Sequence, residues 1–468
     1  MNLESNYSED LISSVLITGS SGLSNSRTTK PYYFLIAVFC VLYSFLLTLY
    51  PFYLISYTLI LLCVVLLLSD IRLGVFYLIF AFPILKRILT FVLGNEPPYL
   101  DFYFYLLGLF ILIYQNIFFQ KKIRIIITKI DKLILIFLIY IIISLVLVTS
   151  NREYGLEKFQ YLILSVILFY LPKLLLNNQI EILVILKAIF FFGITLVVYG
   201  FLQLKDLIGI DTIHYSGRFS IMGWNPIWIA RYLSYAVLIE IFLLIKFWSL
   251  ENIGKVTIIV VIMLFQTYLI ILTGSRGPLL GLIIGSFTFL ITQVKLNIKK
   301  IILFSLIILI ILGTLGLIIP QESNNRITSN NDQGKLTAAI RLLANLHAIK
   351  LFLSNSIFGI GFGSFSFGGE FIETLHYPHN IFTELLAETG IIGFMLFVII
   401  MLSILLKYLK EAKGKHEIPV SIIFSLFIAA LINANLSGHI GGNSYLWLFL
   451  GLMHYASYSI TNKTSADK

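Results

Sequence analysis

The strongest chemical signal in the chain is His376-Tyr377-Pro378-His379-Asn380. Proline lacks an N–H and disrupts a helix interior, so a helix is predicted to begin just after it, with unpaired N–H groups turned outward. Such an end attracts anions. A histidine there, with an ordinary pKa of about 6.5, is suited to remove a proton from an incoming hydroxyl. A polar helix start at a membrane interface is the bland alternative. His376 and His379 also invite a metal, but no third ligand at suitable spacing and no Asp/Glu pair accompanies them, so neither metal nor cofactor is expected. Glu384 and Glu388, one helical turn apart, could orient His379 or stay solvated; solvation is the expectation.

Two further segments point to an anion. In Gly217-Arg218-Phe219-Ser220-Ile221-Met222-Gly223-Trp224-Asn225-Pro226, Asn225 and Pro226 form a good helix start, as N-cap and first-turn proline. Arg218 precedes it in a loop. Arg231 falls about a turn inside the helix, which is costly unless it faces a wet cavity or a partner, or snorkels to the headgroups. In Thr273-Gly274-Ser275-Arg276-Gly277-Pro278, glycine and proline explain a tight hairpin but not the arginine at its tip, for which anion binding is the better account. Lys86 and Arg87, after Pro83, either serve the same cavity or mark where a kinked helix surfaces.

These residues sit on an apolar scaffold. Of 468 residues, 59% are apolar and 12% charged, with a mean hydropathy of +0.95, whereas a water-soluble domain carries roughly a quarter charged residues. The fold class is therefore all-α, a polytopic helical membrane protein. Runs of membrane-spanning length predict about fourteen transmembrane helices, at 32–49, 53–68, 74–93, 102–119, 132–149, 158–175, 183–203, 228–246, 257–273, 278–295, 300–319, 388–407, 419–435 and 445–460. A cytoplasmic tail (1–31), which does not look like a secretory signal, precedes spans 1–11 (32–319). A long extracytoplasmic loop (320–387) leads to spans 12–14 (388–460) and a cytoplasmic tail (461–468). Within the loop, Leu342, Leu346, Ile349 and Leu353 recur at helical spacing while Arg341 and Asn345 take another face, which predicts an amphipathic helix on the membrane surface or capping the bundle. The glycine-rich turn Gly359-Ile360-Gly361-Phe362-Gly363 follows.

The net charge of +10 suggests no nucleic-acid partner, since no Lys/Arg stripe with interleaved aromatics occurs. The positive-inside rule accounts for the lysine clusters. It does not account for the arginines: seven of ten (Arg87, Arg152, Arg218, Arg231, Arg276, Arg326, Arg341) fall on the outer side, against five of 23 lysines. Arginine suits forked contacts with phosphate, so an anionic ligand is expected on that side. Cys40 and Cys63 lie in hydrophobic runs and are read as packing residues.

These features resemble the bacterial O-antigen ligase and polysaccharide polymerase family. The pattern His-Asn, nine residues, Gly-x-x-Gly is met by His379, Asn380, Gly390 and Gly393. Arg341 with the Phe358-to-Gly363 turn, the Ser275-Arg276-Gly277 hairpin, and the Arg218 loop ending in Asn225-Pro226 support it. The resemblance covers roughly residues 215–400. It implies a metal-independent glycosyltransferase in the bacterial inner membrane, acting on undecaprenyl-diphosphate-linked oligosaccharide at an extracytoplasmic site. Carried over, Arg218 and Arg276 would clamp the diphosphate, Arg341 would be a third cation, and His379 the base or acceptor-orienting residue. Asn225, Arg231, His376, Asn380 and Glu384 would support them.

Fourteen spans and a long outer loop look more like a polymerase than like a ligase that delivers glycan to lipid A core. Besides membrane lipids, a chain-length regulator and a flippase are the partners expected. A non-enzymatic flippase for the same lipid-linked oligosaccharide is the reading from another class; Glu240 and Lys86 inside spans would favour it, but no inverted halves are visible.

Overall fold

The computed structural model describes residues 70–93, 127–176, 181–205, 213–214, 218–247, 252–292, 332–369, 372–412 and 418–466. The spans expected at 32–49, 53–68, 102–119 and 300–319, and the tail 1–31, lie outside the described residues. The helices are α1 (Ile71–Leu93), α2 (Lys129–Leu147), α3 (Arg152–Leu175), α4 (Ile182–Leu204), α5 (Pro226–Phe247), α6 (Ile253–Leu272), α7 (Arg276–Thr292), α8 (Asp332–Ser354), α9 (Ile381–Ala412), α10 (Ile418–Leu436) and α11 (Ser444–Ala466). Two small antiparallel hairpins interrupt them, β1 (Ile213–His214) with β2 (Arg218–Phe219), and β3 (Phe367–Gly369) with β4 (Ile372–Leu375). Ten expected spans coincide with helices, though α11 continues to Ala466, past the expected last span. Among the described residues, seven helices are long and apolar enough to cross a membrane, so the chain is a multi-pass membrane protein.

Helix formation follows from burying backbone polar groups where no water satisfies them. The starts are capped by side chains. Thr128 and Asp131 form a reciprocal capping box at α2, and the Asn151 carboxamide accepts from Tyr154 N–H at 3.2 Å at the start of α3. The core is aromatic. Trp447 of α11, fully buried, has the rings of Phe137, Phe169 and Phe397 within 6.5 Å, joining α2, α3 and α9. Tyr445 likewise meets Phe80, Tyr232 and Tyr235 of α1 and α5.

α8 reverses the usual amphipathic arrangement. Leu342, Leu346, Ile349 and Leu353 are 41–72% exposed, while Ala344 and Ala348 pack against Phe365 and Ala387. The apolar stripe thus faces away from the protein, where lipid can cover it, and the polar pair Arg341 and Asn345 faces inward. Although α8 is also long and apolar enough to be counted among the seven candidate spans, it lies beside the first turns of α9.

The glycine turn is a wedge between two chain segments. Ile360 and Gly361 N–H donate to the carbonyls of Ala387 and Glu388 at 2.9 and 3.0 Å. Phe362 N–H donates to Ser144 Oγ at 3.1 Å, and its carbonyl accepts from Thr149 Oγ1 at 2.9 Å. Gly361 has φ +100°, and a Cβ there would fall 2.5 Å from Thr149 Cα, so only glycine fits. Gly390, at φ +59°, breaks α9 where Ile391 N–H turns to the Ser356 carbonyl at 2.8 Å.

Beneath this turn lies a buried ion cluster. Lys158 Nζ is 2.7 Å from Glu384 Oε1 and 2.5 Å from Glu388 Oε2, with all three side chains essentially inaccessible. Glu388 also accepts Gly363 N–H at 2.9 Å, and Glu384 accepts Ile440 N–H at 3.1 Å. The expectation that these carboxylates stay solvated is therefore overturned: α3 supplies an ammonium that draws both inward. Removing one member of a buried pair costs about 3–5 kcal/mol by leaving uncompensated charge. Lys158→Met should lower unfolding stability by that amount in detergent calorimetry, and adding Glu384→Gln should recover part of it; an unchanged melting profile for Lys158→Met would contradict the role of the cluster.

Candidate active site

Links between helices collect at one end of the bundle and bring four arginines to a single cleft. Arg218, on β2, donates through Nε to the Thr273 carbonyl at 2.7 Å and through a second nitrogen to Ser275 Oγ. The hairpin that carries Arg276 is thus tied to the strand that carries Arg218. Arg276 opens α7, and Arg341 reaches from α8 to the Leu436 carbonyl at 3.0 Å, ending α10. With Arg231 they line a small cleft of roughly 100 Å³, together with Gly274, Ser275, Thr337 and Ser437.

Arg231 is 3% exposed, so it does not snorkel. Its guanidinium donates to Asn443 Oδ1 at 3.1 Å and to the carbonyls of Asn433 and Ser437 at 2.9 and 2.7 Å, and lies 4.6 Å from the Trp228 ring. The hydrogen bonds of Arg231 and Arg341 go to neutral acceptors. Neither is neutralised by an ion pair among the described residues, and the charges of Arg276 and Arg341 act on one another. Such a cluster favours an anion that spans several cations.

The segment 376–380 lies beside this cleft. Asn380 caps α9, its side chain accepting from Phe382 and Thr383 N–H at 2.9 and 3.2 Å. Asn345 of α8 fixes the preceding loop, donating to the Pro378 carbonyl at 2.9 Å, while Thr383 Oγ1 donates to Asn345 Oδ1 at 2.7 Å. His379 is held at φ +63°, a left-handed conformation that costs a non-glycine residue about 1–2 kcal/mol. Its pKa is pushed down to about 3, first by burial and then by the positive charges of Arg341 and Arg231. The imidazole is therefore neutral at working pH, with a lone pair available. Nδ1 has no hydrogen-bond partner among the described residues. Glu384 does not orient His379, since its contacts go to Lys158 and Ile440.

The other expected residues have distinct places. Asn225 caps α5, accepting Ile227 N–H at 2.9 Å. His376 packs on the Tyr154 ring with centroids 4.8 Å apart. Lys86 lines a second cavity rather than the arginine cleft, and the side chains of Arg87 and Arg326 lie outside the described residues. Among the described residues, no three His, Cys, Asp or Glu side chains are grouped as a metal site.

Several contributors escape the spacing argument. Asn433, in the last turn of α10, and Ser437 and Asn443, in the α10–α11 link, hold Arg231, and their signal was the run of amides and small polar residues ending an apolar segment. Tyr377 bridges two regions: its ring is 4.7 Å from that of His379 and 5.5 Å from that of His439. His439, like His379, is pushed down to about 3, by burial and by Lys158. Tyr377 and His439 line the second cavity, roughly 470 Å³, which shares Ile227 and Ser437 with the arginine cleft.

Comparison with known families adds an independent line. Residues 258–398 match a family model described as O-antigen ligase. The matched segment takes in Arg276, Arg341, the glycine turn and His379, and supports the O-antigen ligase and polymerase family for this chain, whose members are membrane glycosyltransferase-like enzymes. No curated protein matches the chain.

Two outcomes follow from the His379 geometry. Because glycine alone adopts this φ without strain, His379→Gly should be more stable than His379→Ala by about 1 kcal/mol, measured by thermal unfolding; equal stability would contradict the strained conformation. In an NMR titration the His379 imidazole should stay neutral through pH 5, below the ordinary value of about 6.5. Arg341→Gln should move its titration upward without restoring 6.5, because burial remains.

Proposed function

We propose that the protein is a surface-polysaccharide polymerase. It transfers a growing glycan from undecaprenyl diphosphate to a hydroxyl of an incoming lipid-linked repeat unit, on the outer face of the bacterial plasma membrane. The observation that carries this reading is the convergence of Arg218, Arg231, Arg276 and Arg341 on one cleft beside a neutral His379.

In this scheme the anomeric C–O bond to diphosphate breaks as the acceptor oxygen forms its own bond to that carbon. Negative charge grows on the departing diphosphate, and Arg218, Arg276 and Arg341 stabilise it in a partly dehydrated cleft. Guanidinium groups thus take the part a metal ion plays elsewhere. The acceptor hydroxyl gives its proton to the His379 imidazole, and undecaprenyl diphosphate leaves as the anion. Attack from the face opposite the leaving group inverts the anomeric configuration. Arg231, held by the carbonyls of Asn433 and Ser437 and by the Asn443 side chain, and lying over the Trp228 ring, shapes the field. Arg341, which with Arg231 adds to the effect of burial in depressing His379, is among the arginines a diphosphate would offset, so donor binding raises the basicity of His379 when a base is required.

Lipid-linked polysaccharide substrates are implied by the family. The fourteen-span reading and long loop support a polymerase, with a flippase supplying the substrate and a chain-length regulator as further partners. A ligase that delivers the same glycan to lipid A core is the second reading, favoured by the description of the matched family model.

Reconstituted with purified lipid-diphosphate repeat units, the wild type should give a ladder of lengths without core lipid. Arg276→Ala should lose about 10²–10³-fold in rate, with Arg276→Lys recovering only part because lysine cannot make a forked contact. His379→Ala should lose about 10²–10⁴-fold. Dependence of product on core lipid would replace polymerase by ligase, and full activity in both alanine variants would remove the site assignment.

A further inference from the structure

The second cavity has no role in gripping a diphosphate, and its lining has a different chemistry. Tyr154, Tyr161, Trp224, Trp228 and Tyr377 contribute rings, and the exposed Glu157 contributes a carboxylate. Aromatic faces give a large apolar contact with little loss of side-chain freedom and retain polar handles. That suits the C–H faces of pyranose rings, whose hydroxyls need the few polar groups around them, here including Asn225 and Ser437. A prenyl chain would lie against the charged Glu157 and Lys86, at a desolvation cost. A diphosphate would meet one charge of each sign here, against four arginines in the cleft next door.

Position narrows the occupant. The cavity joins the arginine cleft at Ile227 and Ser437, and Tyr377 packs against His379, the residue assigned to the acceptor hydroxyl. At roughly 470 Å³ it lies within the range of about 300–1,000 Å³ typical of ligand pockets. We infer that the aromatic cavity is the binding site for the sugars of the acceptor, a neutral, hydroxyl-rich oligosaccharide lying across Tyr161 and Tyr377 with one hydroxyl directed to His379. This rests on the glycosyl-transfer reading above. It adds that acceptor and donor are recognised by separate surfaces, aromatic for the one and cationic for the other.

Binding measured apart from turnover tests the two surfaces separately. The probes are inorganic pyrophosphate and the lipid-free, phosphate-free repeat-unit oligosaccharide released by mild acid from the host cell's own surface glycan, each titrated calorimetrically into the full chain in detergent. The oligosaccharide should bind the wild type and Arg276→Ala alike, and about tenfold more weakly to Tyr161→Ala and to Glu157→Gln, the second being an exposed change that leaves packing intact. Pyrophosphate should show the reverse pattern. No oligosaccharide binding by the wild type, or binding lost in Arg276→Ala and kept in Tyr161→Ala and Glu157→Gln, would overturn the inference. Failure of pyrophosphate alone to bind would instead remove the arginine clamp and leave the sugar result standing.

Discussion

The ammonium of Lys158, enclosed between two glutamates, is the contact on which the architecture of the site depends. Glu384 and Glu388 lie in the first turns of α9, so the pairing fixes the height and rotation of that helix against α3. Glu388 spends its remaining capacity on the glycine turn, and Glu384 on the α10–α11 link. Three segments far apart in sequence thereby meet around one charge. His379 stands immediately before the helix so anchored, and its strained backbone persists because the loop is pinned from both sides, by Asn345 above and the ion cluster below.

Charge in the bundle is arranged in two different ways. At the ion cluster, opposite signs are matched and sealed. In the cleft next to it, Arg231 and Arg341 are held by carbonyls and amides, which orient a guanidinium without cancelling it. The first arrangement gives position and the second leaves a field to be filled. A low dielectric strengthens both.

Much of the site was legible from residue type and spacing. Asn-Pro before α5, Pro-His-Asn before α9 and the glycine turn each have a local physical meaning, so the helix starts could be placed; the break at Gly390, inside the expected span 388–407, could not. The arginines were legible because glycine and proline explain the turns around them but not the guanidinium groups they carry. What spacing could not supply was partnership across the bundle. Glu384 and Glu388 looked like a solvated pair because nothing nearby in sequence hinted at Lys158, more than two hundred residues earlier. Arg231 could be recognised as costly, but its acceptors come from a link whose approach depends on packing. The leucine periodicity of α8 marked a helix with two faces and not which face turned inward, since in a bilayer either surroundings can be apolar.

The orientation of α8 couples the ligand to its surroundings. Arg341 projects from the inner side of a helix whose outer side is a row of exposed leucine and isoleucine side chains. One segment therefore carries an exposed apolar row on its back and a cleft arginine on its front. Any thickening or loosening of the surrounding leaflet that tilts α8 would move a guanidinium in the cleft directly, giving lipid composition a mechanical route to the chemistry.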